Sequence, residues 1–215
     1  GFVGRHVCAK LANLGWRVTV PTRRLANAQA VQTLPLVDVV NSDVHDPVAL
    51  AKLVAGHDAV VNLVAILHGD AQAFERTHVK LLRNLISACK SQGVQRLVHV
   101  SALGVSEVPR DAPSMYLRSK SEGDALLRAT RLDWTIIRPS VIFGADDKFL
   151  NLFARMQKIA PFIPLAGAHS QFQPVWVEDV AQAVVAALQG QGFRRVIEAC
   201  GPEVYTLKQL VQLAG

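Results

Sequence analysis

The chain has 215 residues, half of them apolar, and carries 23 Lys and Arg against 17 Asp and Glu, which gives a formal net charge of +6. This length suffices for one sizeable hydrophobic core with room for a small additional lobe. No apolar run reaches the roughly 18 residues that a membrane-spanning helix needs, and no run of Lys and Arg interleaved with aromatic residues supports a nucleic-acid partner.

Short apolar, β-branched runs alternate with amphipathic patterns along the chain. The pattern predicts strands over residues 16–21, 37–40, 59–65, 96–101, 134–139 and 194–200. Between them it predicts helices over residues 3–14, 46–55, 71–92, 114–131, 148–159 and 178–189. Strands and helices that alternate at this spacing form βαβ units. The sequence therefore predicts an α/β fold, a doubly wound parallel sheet of the Rossmann type with helices on both faces.

The chain opens on Gly1-Phe2-Val3-Gly4, directly before the first predicted helix. Glycines at this place let backbone N–H groups approach a pyrophosphate at the helix N-terminus. The next strand leads into Arg23 and Arg24, where an acidic residue would bind the ribose 2′-hydroxyl of NAD and a guanidinium suits the 2′-phosphate of NADP. The missing acid favours NADP(H) over NAD(H); the alternative is that both arginines are solvated loop charges.

Both ends of the chain fall inside recognisable patterns. A glycine loop of this kind follows a strand, so we expect a strand and a further glycine before Gly1, and a sheet that lacks its central strand. The last residues, from Tyr205 onward, form an amphipathic helix pattern without a clear stop. The sequence thus predicts a fragment, with an NAD(P)-binding domain over 1–140 and, over 141–215, the start of a smaller substrate lobe interleaved with the last strands of the sheet.

These motifs together resemble the extended and atypical short-chain dehydrogenase/reductase superfamily. Gly1 and Gly4 match the last two glycines of its Gly-x-x-Gly-x-x-Gly loop, and Tyr116-Leu-Arg-Ser-Lys120 matches its Tyr-x-x-x-Lys. The resemblance implies that Asp43 contacts the adenine. It also implies further cofactor contacts by Phe2, Val3, Leu63, Val64, Ala65, Lys120, Pro139 and Ser140.

A narrower resemblance is carried by YLRSKSEGD, RPSVIFGADDKFLNLFARM and QPVWVEDVAQAV. These stretches are similar to the nucleotide-binding accessory subunit family of respiratory complex I (alpha subcomplex subunit nine) and its bacterial relatives. The resemblance implies that NADPH is held as a structural ligand, and that the protein contacts a respiratory complex at the periphery of the inner membrane.

Tyr116 and Lys120 lie four residues apart and share one face of the predicted helix. A tyrosine with a pKa of about 10 is a poor base at pH 7, whereas a nearby ammonium favours the phenolate and can hold the nicotinamide ribose. We therefore expect Tyr116 and Lys120 to transfer a proton in hydride chemistry, with Ser101 orienting the carbonyl; the alternative is an ordinary amphipathic helix. Catalytic relatives commonly carry a second hydroxyl residue at this strand end, where this chain has Ala102.

Two functions from different classes follow. The first is an NADP(H)-dependent oxidoreductase or epimerase acting on an unknown small carbonyl compound, favoured by Tyr116 and Lys120. The second is a non-catalytic NADPH-binding structural or assembly factor of a respiratory complex, favoured by Ala102 and by the complex I-like run over 138–156. A homodimer through helices 71–92 and 114–131 is a further hypothesis.

The remaining polar and apolar features have simpler explanations. Asn62 and His99 are expected to be packed polar residues of the sheet, and Asp146 and Asp147 to cap a helix. The three cysteines are scattered, which predicts free buried thiols in a reducing, cytoplasmic compartment. The histidines show no metal-ligand spacing, so no metal site is expected.

The apolar stripe of helix 148–159 is expected to close the substrate cleft, with docking to a membrane surface as the alternative. The stripe consists of Phe149, Leu152, Phe153, Met156 and Ile159.

Overall fold

A computed structural model describes residues 1–157, residue 165 and residues 167–214. The helices are α1 (Phe2–Asn13), α2 (Gln29–Gln32), α3 (Pro47–Val54), α4 (Ala71–Phe74), α5 (Leu81–Gln92), α6 (Met115–Arg128), α7 (Leu150–Gln157), α8 (Val177–Leu188) and α9 (Leu207–Ala214). The strands are β1 (Val18–Thr22), β2 (Val37–Asn41), β3 (Ala59–Asn62), β4 (Arg96–Val100), β5 (Asp133–Pro139), β6 (Ile142–Phe143), β7 (Gln171–Phe172), β8 (Val175–Trp176), β9 (Arg195–Ala199) and β10 (Tyr205–Thr206).

Parallel strands form the centre of the molecule. Four of them pair in the order β3-β4-β5-β9, and β1 pairs with β2 in the same parallel sense. Two small ladders, parallel β6-β8 and antiparallel β7-β10, lie outside this arrangement. The α/β Rossmann-type fold predicted from the alternation of strand and helix patterns is therefore confirmed. The division at residue 140 stays a prediction, and β9, from beyond that point, completes the four-stranded sheet.

Successive residues of each central strand enter opposite cores because side chains alternate across a sheet. Leu97 and Ile136 face a core built with α3, α5 and α6, whereas Val98 and Ile137 face one built with α1 and α8. All four side chains are completely buried. Strands covered on both faces read as continuous apolar runs, which is the pattern that the sequence shows at these positions.

A groove of about 140 Å³ separates β1 from β3. Thr19 and Pro21 line one side, and Ala59–Asn62 line the other. His57 Nε2 and Thr19 Oγ1, which both line this groove, form a side-chain hydrogen bond at 2.9 Å.

The observed elements differ from the predicted ones in two instructive places. The strand predicted over 59–65 ends at Asn62, whose side chain accepts a hydrogen bond from Val64 N at 3.2 Å and so turns the backbone out of the sheet. The helix predicted over 71–92 contains a π-helical turn, Glu75–Lys80, between α4 and α5. A π turn breaks the 3.6-residue register, which apolar periodicity alone does not reveal.

Several local predictions are confirmed. Asp46 caps α3 through Val48 N, and Asp147 accepts hydrogen bonds from the first backbone N–H groups of the α7 region. Cys8, Cys89 and Cys200 are free, as predicted; Cys8 and Cys89 are buried, whereas Cys200 is half-buried, so the prediction of burial is wrong for that thiol. The apolar stripe predicted over 148–159 is not fully covered, because Leu152 is 53% exposed. Ile159 of this stripe lies outside the described residues. Among the described helices, none combines the length and the apolar character required to cross a bilayer.

Candidate functional site

The carboxyl ends of the parallel strands lie at one edge of the molecule, where ligands of open α/β sheets bind. The pairing registers place Thr22 beside Asn41, Asn62 beside His99, and Val100 beside Ile137. The ends of these strands and the segments that follow them carry the residues predicted to form the site. They are Arg23, Arg24, Asp43, Leu63, Val64, Ala65, Ser101, Pro139 and Ser140.

The N-terminus of α1 fits an anionic ligand. Gly1 caps the helix, and within the described residues no side chain accepts from its first N–H groups and no acidic residue lies in its first turn. A Cβ atom at Gly1 would meet nothing within 4 Å. The positive end of the helix dipole is therefore available to a phosphate.

Neighbouring segments hold α1 in place. Gly4 packs towards Leu63, where a Cβ atom would lie 3.5 Å from Cδ1. Phe2 packs towards Gly144, and Lys10 pairs with Glu178 of α8 at 2.9 Å. The opening segment is thus fixed against the loop after β3 on one side and against α8 on the other.

The loop after β1 presents two exposed arginines. Thr22 Oγ1 accepts a hydrogen bond from Arg24 N at 3.2 Å and donates to Arg24 O at 2.9 Å, which fixes the turn through Arg23. Neither arginine takes part in an ion pair with another described residue. On the adjoining loop Asp43 is exposed, and its Oδ1 accepts from His45 N at 3.0 Å. The turn that carries the two arginines is therefore fixed, and neither guanidinium forms an ion pair with a described residue. Both guanidinium groups are thus available to a ribose phosphate.

Tyr116 lies in the first turn of α6, whose N-cap Ser114 accepts from Leu117 N at 3.1 Å. Its ring is half-buried and makes edge contacts with Phe74 and His78, at centroid distances of 6.2 and 5.6 Å. Burial raises the pKa of the Tyr116 phenol. The phenol is therefore protonated at neutral pH and can act as a proton donor.

Lys120 lies one turn further along the same face and is almost completely buried, with 1% of its surface exposed. Its Nζ donates to Val100 O at 2.8 Å. The last β3-β4 pair is Asn62 with His99, so the lysine supplies a hydrogen bond to a carbonyl beyond the end of β3. Burial lowers the pKa of Lys120 to about 8, against a smaller opposing effect of Asp124.

Asp124 continues this face by another turn and is the centre of a buried polar network. Its Oδ2 accepts from Arg138 Nε at 3.0 Å, and Oδ1 lies 3.8 Å from His99 Nε2. Arg138 Nη2 reaches Glu107 at 3.5 Å near the surface. At the other end of the network His99 Nδ1 contacts Asn62 Nδ2 at 3.1 Å. The interpretation of Asn62 and His99 as packed polar residues is confirmed.

Ser101 enters this network instead of facing the open edge. It is 5% exposed, and its hydroxyl is close enough to Asp124 to lower the pKa of that carboxyl, although burial raises the pKa overall. Among the described residues neither Ser101 Oγ nor Asp124 Oδ1 completes a hydrogen bond of normal geometry. Its assignment to carbonyl orientation stays a prediction, and the structure gives its hydroxyl a different neighbour.

Two further residues of this region were not predicted from the sequence. Asp124 continues the four-residue spacing of Tyr116 and Lys120, and that repeat could have indicated it. His78 lies in the π-helical turn against Tyr116, and no pattern in the sequence indicates it.

Comparison with known proteins identifies the family. Residues 1–191 match the family described as NAD(P)H-binding. The chain belongs to this NAD(P)H-binding family. The match includes the opening glycines, the loop after β1 and α6, so the residues of the candidate site lie within the matched region.

Curated relatives include a respiratory-chain subunit and a reductase. The chain is 29% identical over 218 residues to "NADH dehydrogenase [ubiquinone] 1 alpha subcomplex subunit 9, mitochondrial" of Dictyostelium discoideum, with 99% of this chain and 60% of the relative covered. It is 31% identical over 188 residues to the "Ceramide reductase" of Caulobacter vibrioides, with 86% of this chain and 57% of the relative covered. The chain thus spans somewhat more than half the length of these relatives.

Among solved structures, a dTDP-glucose 4,6-dehydratase double mutant from Streptomyces venezuelae with NAD bound superposes with a TM-score of 0.88. The superposition covers 100% of this chain and 77% of that one, at 24% sequence identity. This similarity shows the fold, which is a Rossmann-type α/β fold shared with that dehydratase.

Proposed function

We propose that the chain is an NADP(H)-dependent oxidoreductase or epimerase in which Tyr116 transfers a proton to or from a small carbonyl compound. The observation that carries this proposal is a half-buried phenol with a raised pKa, one helical turn from a buried lysine at the edge of the sheet. In the direction of reduction, NADPH would supply the hydride. A protonated Tyr116 is then the donor that neutralises the oxyanion formed at the carbonyl oxygen.

Lys120 would hold the dinucleotide rather than lower the pKa of Tyr116. The pKa of Tyr116 is raised by burial, and an ammonium acting strongly on the phenol would lower that pKa instead. Lys120 lies on the same helix face as Tyr116 and carries its charge below a pH of about 8. The phosphates would lie at the N-terminus of α1, and the loop over Leu63–Ala65 would line the dinucleotide.

The preference for NADP(H) can be tested at Arg23. Replacing Arg23 with aspartate should raise the dissociation constant of NADPH about 30-fold, because it removes a charge-assisted hydrogen bond and places a like charge beside the 2′-phosphate. The dissociation constant of NADH should change by less than about threefold. Fluorescence titration of the full-length protein measures both constants. Arg83→Asp, an exposed change on α5, is the matched control, and equal weakening of both cofactors would contradict the assignment.

A second function is favoured by the inward Ser101 hydroxyl and by Ala102 beside it. Without an outward hydroxyl at this strand end, Tyr116 would lack the Ser101 group predicted to orient the carbonyl. The chain would then hold NADPH as a fixed structural ligand in contact with a respiratory complex at the membrane periphery, in line with the names of the complex I relatives. The homodimer stays a prediction, and it is compatible with both the enzymatic and the structural function.

Cofactor titration followed by exchange separates these functions. Tight NADPH binding with exchange in seconds supports an enzyme, and a screen of carbonyl compounds with Tyr116→Phe as control should then show turnover that the variant loses. Tight NADPH that does not exchange, with no turnover on any carbonyl compound, supports the structural function. Absence of binding by both NADPH and NADH contradicts the nucleotide assignment itself.

A further inference from the structure

His78 occupies the π-helical turn Glu75–Lys80 and joins two parts of the site that are distant in sequence. Its Nε2 lies 3.2 Å from Ile66 N, in the loop that follows β3. Its Nδ1 lies 2.8 Å from Ser119 Oγ on α6. The side chain is 3% exposed, so both contacts are shielded from water. One imidazole thus connects the loop proposed to line the cofactor with the helix that carries Tyr116.

The two contacts fix the protonation state of the ring. A backbone N–H can only donate, so Nε2 must accept from Ile66 and carries no proton. The ring proton therefore lies on Nδ1, which donates to Ser119 Oγ, and that hydroxyl donates in turn to Tyr116 O at 2.8 Å. Burial and the positive charge of Lys120 lower the pKa of His78 to about 4, in agreement with a neutral ring.

Packing around the ring leaves it little freedom. The ring contacts Phe74 and Tyr116, with both centroid distances at 5.6 Å. The backbone of the π turn lies against α6, because a Cβ atom at Gly123 would come within 2.9 Å of His78 O. The absence of a side chain at Gly123 is what lets the π turn approach the helix, and π turns frequently mark functional positions.

We propose that His78 is a positioning residue, held as the neutral Nδ1–H tautomer, that fixes the cofactor-lining loop relative to Tyr116 through its bond to Ile66 N. The inference rests on the proposed cofactor site. It assigns the alignment of the dinucleotide and the proton donor to a residue that is itself buried, with 3% of its surface exposed.

Two substitutions separate the contact of the His78 ring with Ser119 from its contact with Ile66 N. The amide of asparagine reaches only the Nδ1 position, so His78→Asn can keep the bond to Ser119 but leaves Ile66 N without its acceptor. The amide of glutamine reaches the Nε2 position, so His78→Gln can keep the acceptor for Ile66. We expect the dissociation constant of NADPH to rise about tenfold in His78→Asn and less than about threefold in His78→Gln. The Ile66 amide should exchange with solvent faster only in the asparagine variant.

The outcomes distinguish the inference from the function on which it rests. If the unchanged protein binds NADPH and both folded variants bind it equally well, the positioning role is overturned and the cofactor site stands. If the unchanged protein binds no nicotinamide dinucleotide, the proposed function fails, and the positioning role fails with it. Should His78→Asn not fold, imidazole ¹⁵N chemical shifts of the unchanged protein decide: the Nδ1–H tautomer supports the proposal, and an Nε2–H tautomer overturns it.

Discussion

Replacing Arg138 with methionine should lower the free energy of unfolding by about 3 kcal/mol, because it leaves the Asp124 carboxylate buried without its hydrogen-bonded cation. Asp124 is 1% exposed and Arg138 is 6% exposed, so water cannot take over the lost interaction. The expected loss lies at the lower end of the range for broken buried pairs, since Lys120 also lowers the pKa of Asp124 and remains in place. Urea unfolding at pH 7 measures the change.

The same variant should show a distinctive pH dependence. The pKa of Asp124 is already raised by burial, so the folded state favours the protonated carboxyl, and this group's contribution to stability increases as pH falls. Arg138 lowers the pKa of Asp124, so its loss raises that pKa further. In the variant, the increase of stability with falling pH therefore begins at a higher pH. The deficit of Arg138→Met should therefore be smaller at pH 5 than at pH 7.

Two further variants serve as controls for this prediction. Arg128→Met removes the other arginine paired with Glu107, but that pair is exposed and should contribute less than about 1 kcal/mol. The double variant Arg138→Met with Asp124→Leu should recover much of the lost stability, since an apolar pair of similar size can replace a buried ion pair. A single Arg138→Met variant as stable as the unchanged protein would show that Asp124 is neutral in the folded state.

The layered fold could be predicted from the sequence because its signals are local. Largely apolar runs such as RLVHV and WTIIRP, alternating with helical patterns, are typical of parallel strands that helices cover on both faces. The two-residue strands β6, β7, β8 and β10 could not be predicted, since two residues carry no periodicity. The end of β3 was placed three residues too late because the side chain of Asn62, rather than a glycine or proline, turns the chain.

The site could be predicted only where its residues follow a spacing. The opening glycines precede a helix, and Tyr116 and Lys120 lie four residues apart, so the sequence pattern could propose both. Their surroundings depend on tertiary structure: the inward direction of the Ser101 hydroxyl follows from the position of Asp124 on another element. His78 enters the site because a π turn changes the register of a helix, and a sequence pattern with a period of 3.6 residues contains no trace of that change.

Replacing Lys120 with methionine should raise the free energy of unfolding by about 2 kcal/mol at pH 7 while weakening NADPH binding at least about tenfold. Burial lowers the pKa of this lysine from 10.5 to about 8, which corresponds to a cost of about 3 kcal/mol for keeping it charged in the fold. Methionine removes that cost and loses the hydrogen bond to Val100 O, worth about 1 kcal/mol. A change that stabilises the fold and impairs the ligand site is expected where a residue is kept for function.

The pH dependence provides the decisive measurement for Lys120. Between pH 8 and 10.5 the unfolded lysine binds more protons than the folded one, so the stability of the unchanged protein should rise through this window relative to Lys120→Met. The advantage of the variant at pH 7 should therefore shrink as the pH increases. Lys52→Met, an exposed change on α3, should leave both stability and pH dependence unchanged within about 0.5 kcal/mol. A Lys120→Met variant less stable than the unchanged protein at pH 7 would show that the contacts with Val100 O and Asp124 outweigh desolvation, and the lysine would then be retained for the fold rather than for the cofactor.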